Sequence, residues 1–226
     1  MRSRKIKGGD NVILRITQTA SNIKQTYDIF GEDFFGQGNV GNFSRMQAIS
    51  LSWKENTIRG VFRISKWVNY IPYRYLFGKA NLTRGFVLYK NDTEYGSIVF
   101  SRHGYHRSFY VITLNSGETF YCYYRAKGAF VYVSVYQGDT QIALIETYLS
   151  VNDFKYTHKL YLLDDNARFA DALSFFVLYF ANYRFTNRFH MTKGSITERV
   201  WSFSKYNDRY DPKWREIHFP NENFFG

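Results

Sequence analysis

The sequence contains little cysteine and proline, and it has no long apolar run. Its single cysteine, Cys122, excludes an intrachain disulfide and a four-cysteine metal site. Nowhere do the ~20 consecutive apolar residues of a transmembrane helix occur. Four of the first seven residues are basic, but the apolar stretch 12–14 that follows them is too short for a signal peptide. We therefore expect a soluble, cytoplasmic protein that is at most peripheral to a membrane.

Aromatic residues are abundant instead: the 226 residues include 22 Phe, 20 Tyr and 4 Trp, against three prolines. Aromatic residues are enriched in β-strands. A chain with 45% hydrophobic and 22% charged residues has a globular composition. The 30 Lys and Arg residues outnumber 19 Asp and Glu residues, which gives a net charge of +11. This charge favours a polyanionic partner, but it does not choose between nucleic acid and anionic lipid.

Three aromatic-rich hairpins are predicted in the middle of the chain, each with a turn that contains Asn, Asp or Gly. Their strands are residues 86–89 with 97–100, 109–114 with 120–124, and 130–136 with 142–145. Further strands are predicted at residues 12–17, 23–30, 47–53, 57–64, 67–77 and 154–162. The pattern indicates a mainly β protein built from successive antiparallel hairpins.

After the strand 154–162 the pattern becomes helical, and a helix is predicted near residues 167–182. Residues 170–181 are apolar on all sides, and at ~1.5 Å per residue they are too short to cross a bilayer. Such a helix must be surrounded by protein, so we predict a closed antiparallel β-barrel of about twelve strands around it. The predicted organisation is an arm or edge strand over 1–22, the barrel over 23–185, and an aromatic tail over 186–226 that packs on the barrel.

The hairpins, the run Leu-Tyr-Leu-Leu-Asp-Asp-Asn at 160–166 and the apolar helix up to Tyr183 resemble the tubby C-terminal-like superfamily. That superfamily includes tubby, the plant LURP-one-related proteins and the phospholipid scramblases, and the resemblance covers about residues 86–184. It implies a twelve-stranded barrel around a central hydrophobic helix. Tubby binds phosphoinositides and scramblases act on lipid, which makes a lipid a candidate ligand. Asp164, Asp165 and Asp171 lack the alternating acidic spacing of a calcium loop.

Four motifs contain residue types that take part in catalysis or ligand binding. The G-x-G-x-x-G pattern at 36–41 lacks the βαβ context of a dinucleotide site, so a flexible glycine loop is predicted there. His103 and His106 could share a metal with His190 or His218, but a surface loop pair is favoured. For Cys122 we predict a small buried residue, and for the pair Asp164 and Asp165 we predict helix capping and complementation of the helix dipole. With no catalytic signature, metal or cofactor motif recognised, we expect a protein that is not an enzyme.

The strongest functional signal is the basic stretch from Lys54 to Lys90, with eight positive residues against Glu55 alone. Its aromatic residues Trp53, Trp67, Tyr70, Tyr73 and Tyr75 could enter a membrane interface or stack on bases. A solvated barrel exterior is the alternative interpretation. The candidate ligand-binding residues are Arg59, Arg63, Lys66, Arg74, Lys79 and Arg84.

Together these observations predict a non-catalytic binding or scaffold module that recognises an anionic membrane surface or another protein. We rank weak binding of anionic lipid above binding of nucleic acid, because no base-reading module is recognised in the sequence, and we rank both below an interaction domain whose charge serves only solubility. The alternatives are a small-ligand or nucleic-acid-binding protein, or an enzyme whose site the sequence does not reveal. The oligomeric state stays open.

Overall fold

The computed structural model describes residues 11–21, 24–32, 34–41, 49–62, 85–102, 108–185, 191, 193–197 and 209–222. Most of these residues form β-strands. The strands are β1 (Val12–Ser21), β2 (Lys24–Phe30), β3 (Phe35–Gly41), β4 (Ile49–Trp53), β5 (Asn56–Phe62), β6 (Gly85–Lys90), β7 (Thr93–Arg102), β8 (Ser108–Leu114), β9 (Thr119–Lys127), β10 (Phe130–Gln137), β11 (Thr140–Tyr148), β12 (Ser150–Asn152), β13 (Thr157–Leu162) and β14 (Ser195–Thr197).

Twelve of these strands close into one antiparallel barrel, in the order β1-β13-β11-β10-β9-β8-β7-β6-β5-β4-β3-β2. Each strand pairs with its neighbour in sequence, except where β13 pairs with β1 and β11 to close the sheet. The short strands β12 and β14 pair with each other outside the barrel. The predicted fold class is confirmed. β1, which the sequence suggested as an arm or edge strand, is an integral strand of the barrel.

The turn residues explain why the hairpins form where they do. Asn91 and Asp92 connect β6 to β7 with positive φ angles of 49° and 67°, a conformation that Asn and Asp tolerate well. Gly117 and Gly138 take positive φ angles in the next two hairpin turns. The three predicted hairpins β6–β7, β8–β9 and β10–β11 are confirmed by the strand registers.

The barrel interior is filled by a helix. A 3₁₀ helix (Asp164–Phe169) leads into α1 (Ala170–Arg184), whose residues from Ala170 to Asn182 are all buried. The side chains of α1 pack on rings from several walls: Phe175 lies 6.0 Å from Phe86 on β6, and Phe176 lies 5.5 Å from Tyr110 on β8, measured between ring centroids. The predicted helix is therefore present, although α1 begins and ends a few residues later in the chain than expected.

The glycine-rich segment 36–41 is not the flexible loop that its composition suggested. It forms β3, which pairs with β2 and β4. Gly38 faces the helix so closely that a Cβ atom there would lie 2.9 Å from Leu178 Cδ2. At Gly38 the barrel wall approaches α1 closely, which favours glycine, whereas at Gly36 the nearest atoms belong to Ser52 and Trp53 on β4.

Other strand predictions are corrected or fall outside the described residues. Residues 154–156 do not belong to the strand that was predicted to begin at 154, because Asp153 and Phe154 form a turn with positive φ angles and β13 begins at Thr157. The strand predicted at 67–77 and the end of the one predicted at 57–64 lie outside the described residues.

A second, smaller core lies outside the barrel. The helix α2 (Trp214–His218) and Phe219 pack on the outer face of β10, β11 and β13, against Tyr132, Leu144 and Tyr161. Beneath this helix the Arg215 guanidinium lies 3.5 Å from the Glu146 carboxylate, and both side chains are almost fully buried. Charges this deeply buried must be paired, so this contact joins residues 209–222 to the barrel.

Candidate functional site

The direction of α1 distinguishes the two rims of the barrel. At the N-rim, where α1 begins, the chain turns through residues 31–34, 54–55, 91–92, 115–118, 138–139 and 163–169. At the C-rim, where α1 ends, the strands are joined by residues 22–23, 42–48, 63–84, 103–107, 128–129 and 149–156. The described strand ends fix the rim to which each connection belongs, and the charges of all connections can be counted from the sequence.

The charges of these connections are segregated by rim. The N-rim connections carry eight acidic residues and two basic ones, a net charge of −6, namely Glu32, Asp33, Glu55, Asp92, Glu118, Asp139, Asp164 and Asp165 with Lys54 and Arg168. The C-rim connections carry eight basic residues and one acidic one, a net charge of +7, namely Arg45, Arg63, Lys66, Arg74, Lys79, Arg84, Arg107 and Lys155 with Asp153. By sequence, therefore, the connections that leave and return at one rim are net acidic, and those that leave and return at the other are net basic; of the C-rim charges, only Asp153 and Lys155 lie within the described residues.

The predicted ligand-binding residues divide between these rims. Arg59 lies on the outer face of β5, where its guanidinium pairs with the Asp92 carboxylate in an N-rim turn. Both side chains are largely exposed, at 59% and 80%, in a shallow depression that Thr57 and Asn91 complete. Because Arg59 pairs with Asp92 in an N-rim turn, it does not belong to the candidate site at the C-rim.

The other five predicted residues, Arg63, Lys66, Arg74, Lys79 and Arg84, lie outside the described residues. All five belong to the connection between β5 and β6, which contains no acidic residue. These two strands are neighbours, with Phe62 paired to Phe86, so the connection leaves and returns at one place on the C-rim. The candidate functional site is therefore the C-rim, because the most basic connection of the chain departs from it and returns to it; the path of that connection lies outside the described residues.

Lys90, the last residue of the basic stretch, is held at the opposite rim. Its ammonium lies 2.7 Å from the carboxylate of Asp171, a buried residue in the first turn of α1. The Tyr95 hydroxyl donates to the same carboxylate at 3.2 Å. Burial, together with the Asp171 charge, raises the pKa of Tyr95 well above its usual range. Lys90 thus compensates a buried carboxylate and is not available to a ligand.

Helix capping by Asp164 and Asp165 is only partly realised. Both residues lie in the first turn of the 3₁₀ helix, where negative charge complements the helix dipole, but neither side chain makes a capping hydrogen bond. The Asp164 backbone N–H instead donates to the Asn11 side chain at 3.2 Å. Asp171, which the sequence did not single out as a cap, accepts a hydrogen bond from the Ala172 N–H at 2.7 Å.

The remaining candidates do not form a reactive site in the described part of the chain. Cys122 is fully buried on β9, and burial raises the pKa of its thiol, which confirms its prediction as a small core residue. His218 packs its ring 4.9 Å from Trp214, whereas His103, His106 and His190 lie outside the described residues. Among the described residues, no group of three or more His, Cys, Asp or Glu side chains could hold a metal ion.

His158 is another buried titratable group that the sequence did not single out. His158 on β13 is fully buried, and its Nδ1 lies 2.7 Å from the Thr147 hydroxyl. Burial lowers the pKa of this imidazole to about 3, so the ring is neutral at physiological pH. The alternation of β13 could have indicated that His158 faces inward, since Leu160 and Leu162 lie on the same side of the strand.

Comparisons of the chain with protein-family models, with curated proteins and with solved structures found no match. In the described residues, none of the helices combines the length and apolar character needed to cross a membrane. The distribution of charge and the filled barrel are therefore the observations on which a function can be argued.

Proposed function

We propose that this protein is a non-catalytic binding module of tubby-like fold that recognises anionic lipid headgroups through the basic C-rim. The observation that carries the proposal is the segregation of charge, with a net charge of +7 in the C-rim connections and −6 in the N-rim connections. A closed barrel around a hydrophobic helix is also the architecture that the tubby-like resemblance implies, which supports the proposed fold family.

The filled interior favours a ligand on the outside of the barrel. From Ala170 to Asn182 the helix is buried on every side, and its rings pack directly on the strand walls. A module of this kind binds with its connections and outer faces. The acidic N-rim repels an anionic surface, so an anionic membrane favours the orientation in which the C-rim faces it.

The electrostatic free energy expected from the basic residues is of the size needed for reversible membrane binding. A basic residue near an anionic membrane contributes ~1 kcal/mol, so the five in the connection between β5 and β6 together provide up to ~5 kcal/mol. Trp67, Tyr70, Tyr73 and Tyr75 in the same connection are residue types that favour the membrane interface. Because screening acts over ~8 Å at physiological salt, the binding should weaken as salt is raised.

The proposal is tested by co-sedimentation with vesicles of phosphatidylcholine alone and with added phosphatidylserine, over a salt series. We expect binding only to the acidic vesicles, and binding that falls with salt. The double variant Arg63→Glu and Lys66→Glu should bind at least ~30-fold more weakly, the equivalent of ~2 kcal/mol. The matched control is Lys54→Glu with Arg168→Glu, which changes the net charge equally at the N-rim and should bind as the parent does.

Equal binding to neutral and acidic vesicles, or equal losses in the two double variants, would contradict the proposal. Nucleic acid is the second anionic partner that the same rim could attract. Binding of a single-stranded oligonucleotide that depends on Arg63 and Lys66, without any binding to acidic vesicles, would assign the C-rim to nucleic acid instead.

A further inference from the structure

Two phenylalanines lie side by side on the outer surface of the barrel near the N-rim. Phe30 on β2 and Phe35 on β3 are direct partners in the strand register, and their ring centroids lie 5.7 Å apart. They are 48% and 60% exposed to solvent. Phenylalanine is more often buried, and exposed apolar groups with polar residues around them are typical of interaction sites. We call these two residues the aromatic pair.

The strand register explains why the aromatic pair faces outward. Ile29, the neighbour of Phe30 in β2, is 0% exposed, and Gly36, the neighbour of Phe35 in β3, is also buried. Because side chains alternate between the two faces of a strand, Phe30 and Phe35 must both lie on the outer face. Two backbone hydrogen bonds of 2.9 and 3.4 Å across the turn 31–34 hold this register. The exposure of the two rings is therefore built into the hairpin.

Two residues of opposite charge flank the aromatic pair. Arg15 on β1 is paired with Phe30 in the register, so it lies one strand, ~5 Å, to the side of the pair. Glu32 lies in the turn between β2 and β3, beyond the N-rim end of the pair. Both residues are exposed, and neither forms an ion pair with another residue that the structure describes. The patch thus has an apolar centre with a positive charge on one side and a negative charge on another.

This arrangement favours a protein as the partner. The patch lies at the N-rim, whose connections carry a net charge of −6, so anionic lipid and nucleic acid are repelled there. The barrel is closed, so a partner cannot add a strand to a free edge of this sheet and must contact its side chains. Such a partner must present apolar surface together with charges of both signs. A second copy of the same patch meets all of these requirements.

We propose that the aromatic pair is the contact surface of a weak symmetric homodimer, in which Arg15 of each copy faces Glu32 of the other. In a two-fold contact a patch meets itself, so each of its charges must find the opposite charge on the same patch. Arg15 lies beside the pair and Glu32 lies beyond its end, so a two-fold axis that runs diagonally across the pair exchanges the two positions. The rings of the two copies then cover each other, with an ion pair on either side.

The contact is small, so the dimer should be weak. Two phenylalanine rings cover at most roughly 300–500 Å², against the ~800 Å² that each partner buries in a stable complex. Salt should weaken the dimer only partly, because screening acts on the two ion pairs and not on the burial of the rings. This inference uses residues of the N-rim alone and is independent of the proposed binding of lipid at the C-rim.

The first test is analytical ultracentrifugation of the full chain over a concentration series from the micromolar to the millimolar range. We expect a reversible equilibrium between monomer and dimer. Phe30→Asp and Phe35→Asp should each weaken the dimer at least ~10-fold, because each variant removes a ring from the contact and adds a charge. The matched control is Val61→Asp, a change at a residue that is 45% exposed at the C-rim end of β5, and it should dimerise as the parent does. Circular dichroism of dilute samples verifies that each variant is folded.

The second test exchanges the flanking charges. Arg15→Glu alone and Glu32→Arg alone each place like charges opposite one another, so each variant should dimerise more weakly than the parent. In an equimolar mixture of the two variants, the acidic side chain introduced in one faces the basic side chain introduced in the other. The mixture should therefore form a mixed dimer about as tight as that of the parent. Recovery on mixing requires the contact between Arg15 and Glu32 of different copies.

Three results would overturn the proposal: a parent chain that stays monomeric at the highest concentration, a dimer that Phe30→Asp and Phe35→Asp do not weaken, or a mixture that associates no better than its components. A monomeric chain that binds phosphatidylcholine vesicles, with binding lost in Phe35→Asp, would assign the aromatic pair to a membrane instead. The double variant Arg63→Glu and Lys66→Glu should dimerise as the parent does, so the dimer and the proposed lipid binding can fail separately.

Discussion

Replacing Phe176 with aspartate tests the central helix most severely. Phe176 is fully buried halfway along α1, with its ring centroid 5.5 Å from that of Tyr110 and 6.0 Å from that of Phe180. Removing a buried phenylalanine ring costs ~3–5 kcal/mol, and placing an unpaired carboxylate there adds a further penalty. Since the whole free energy of unfolding of a domain is ~5–15 kcal/mol, the variant should be largely unfolded or very weakly stable.

The assay is thermal and urea unfolding followed by circular dichroism, with gel filtration to detect expansion of the chain. Phe35→Asp is the matched control, because it makes the same chemical change at a phenylalanine that is 60% exposed on β3. We expect the control to lie within ~1 kcal/mol of the parent. A Phe176→Asp variant that stays compact with an unchanged free energy of unfolding would refute the position of α1 inside the barrel.

Two further predictions concern the buried titratable groups. Arg215→Ala leaves the Glu146 carboxylate buried without its partner, so the free energy of unfolding should fall by ~3–5 kcal/mol in urea titrations at neutral pH. Burial already raises the pKa of Glu146, and Arg215 opposes that rise. The variant should therefore regain stability as the pH falls toward the ordinary glutamate pKa. An equal loss of stability at neutral pH and near the ordinary glutamate pKa would contradict this. His158 stays neutral in the folded chain down to about pH 3, whereas in the unfolded chain it takes up a proton near its ordinary pKa of 6.5. Between pH 6.5 and about pH 3 the free energy of unfolding should therefore fall as the pH falls, by up to ~1.4 kcal/mol per pH unit from this group alone. His158→Gln should flatten that slope in unfolding titrations, and an unchanged slope would show that other groups cause it.

The hairpins and the helix could be predicted because their signals are local. A tight turn needs residues that tolerate positive φ, and Asn91 and Asp92 are such residues within four positions of the strands that they join. The helix was identifiable because its apolar residues surround the whole helical circumference. In both cases the residues that decide the structure are neighbours in sequence.

Features that depend on distant partners could not be predicted. Gly38 in β3 is explained by the approach of Leu178, which is far away in the chain. The ion pair between Glu146 and Arg215 joins residues 69 positions apart, and the one between Lys90 and Asp171 joins residues 81 positions apart. To predict such pairs, one must know the order of the strands in the sheet as well as their positions in the sequence.

The candidate site lies between these two cases. The basic stretch was visible in the sequence, but its continuous numbering concealed that Lys54, Arg59 and Lys90 belong to the acidic rim. In an antiparallel barrel successive connections alternate between rims, so adding up the charge of every second connection would have revealed the segregation. The sum requires the bounds of all the barrel strands, including β3, which lies in the glycine-rich segment where a loop was predicted.

The most direct test of membrane recognition by the C-rim is a comparison of fluorescent labels at the two rims. Because Cys122 is fully buried, a thiol-reactive, polarity-sensitive dye can be attached selectively to Asn152→Cys at the C-rim or to Ser116→Cys at the N-rim, both of which are exposed positions. On addition of phosphatidylserine vesicles at low salt, we predict a blue shift for the dye at position 152 and no shift for the dye at position 116. Equal shifts at the two positions, or a shift at position 116 alone, would contradict recognition through the basic rim.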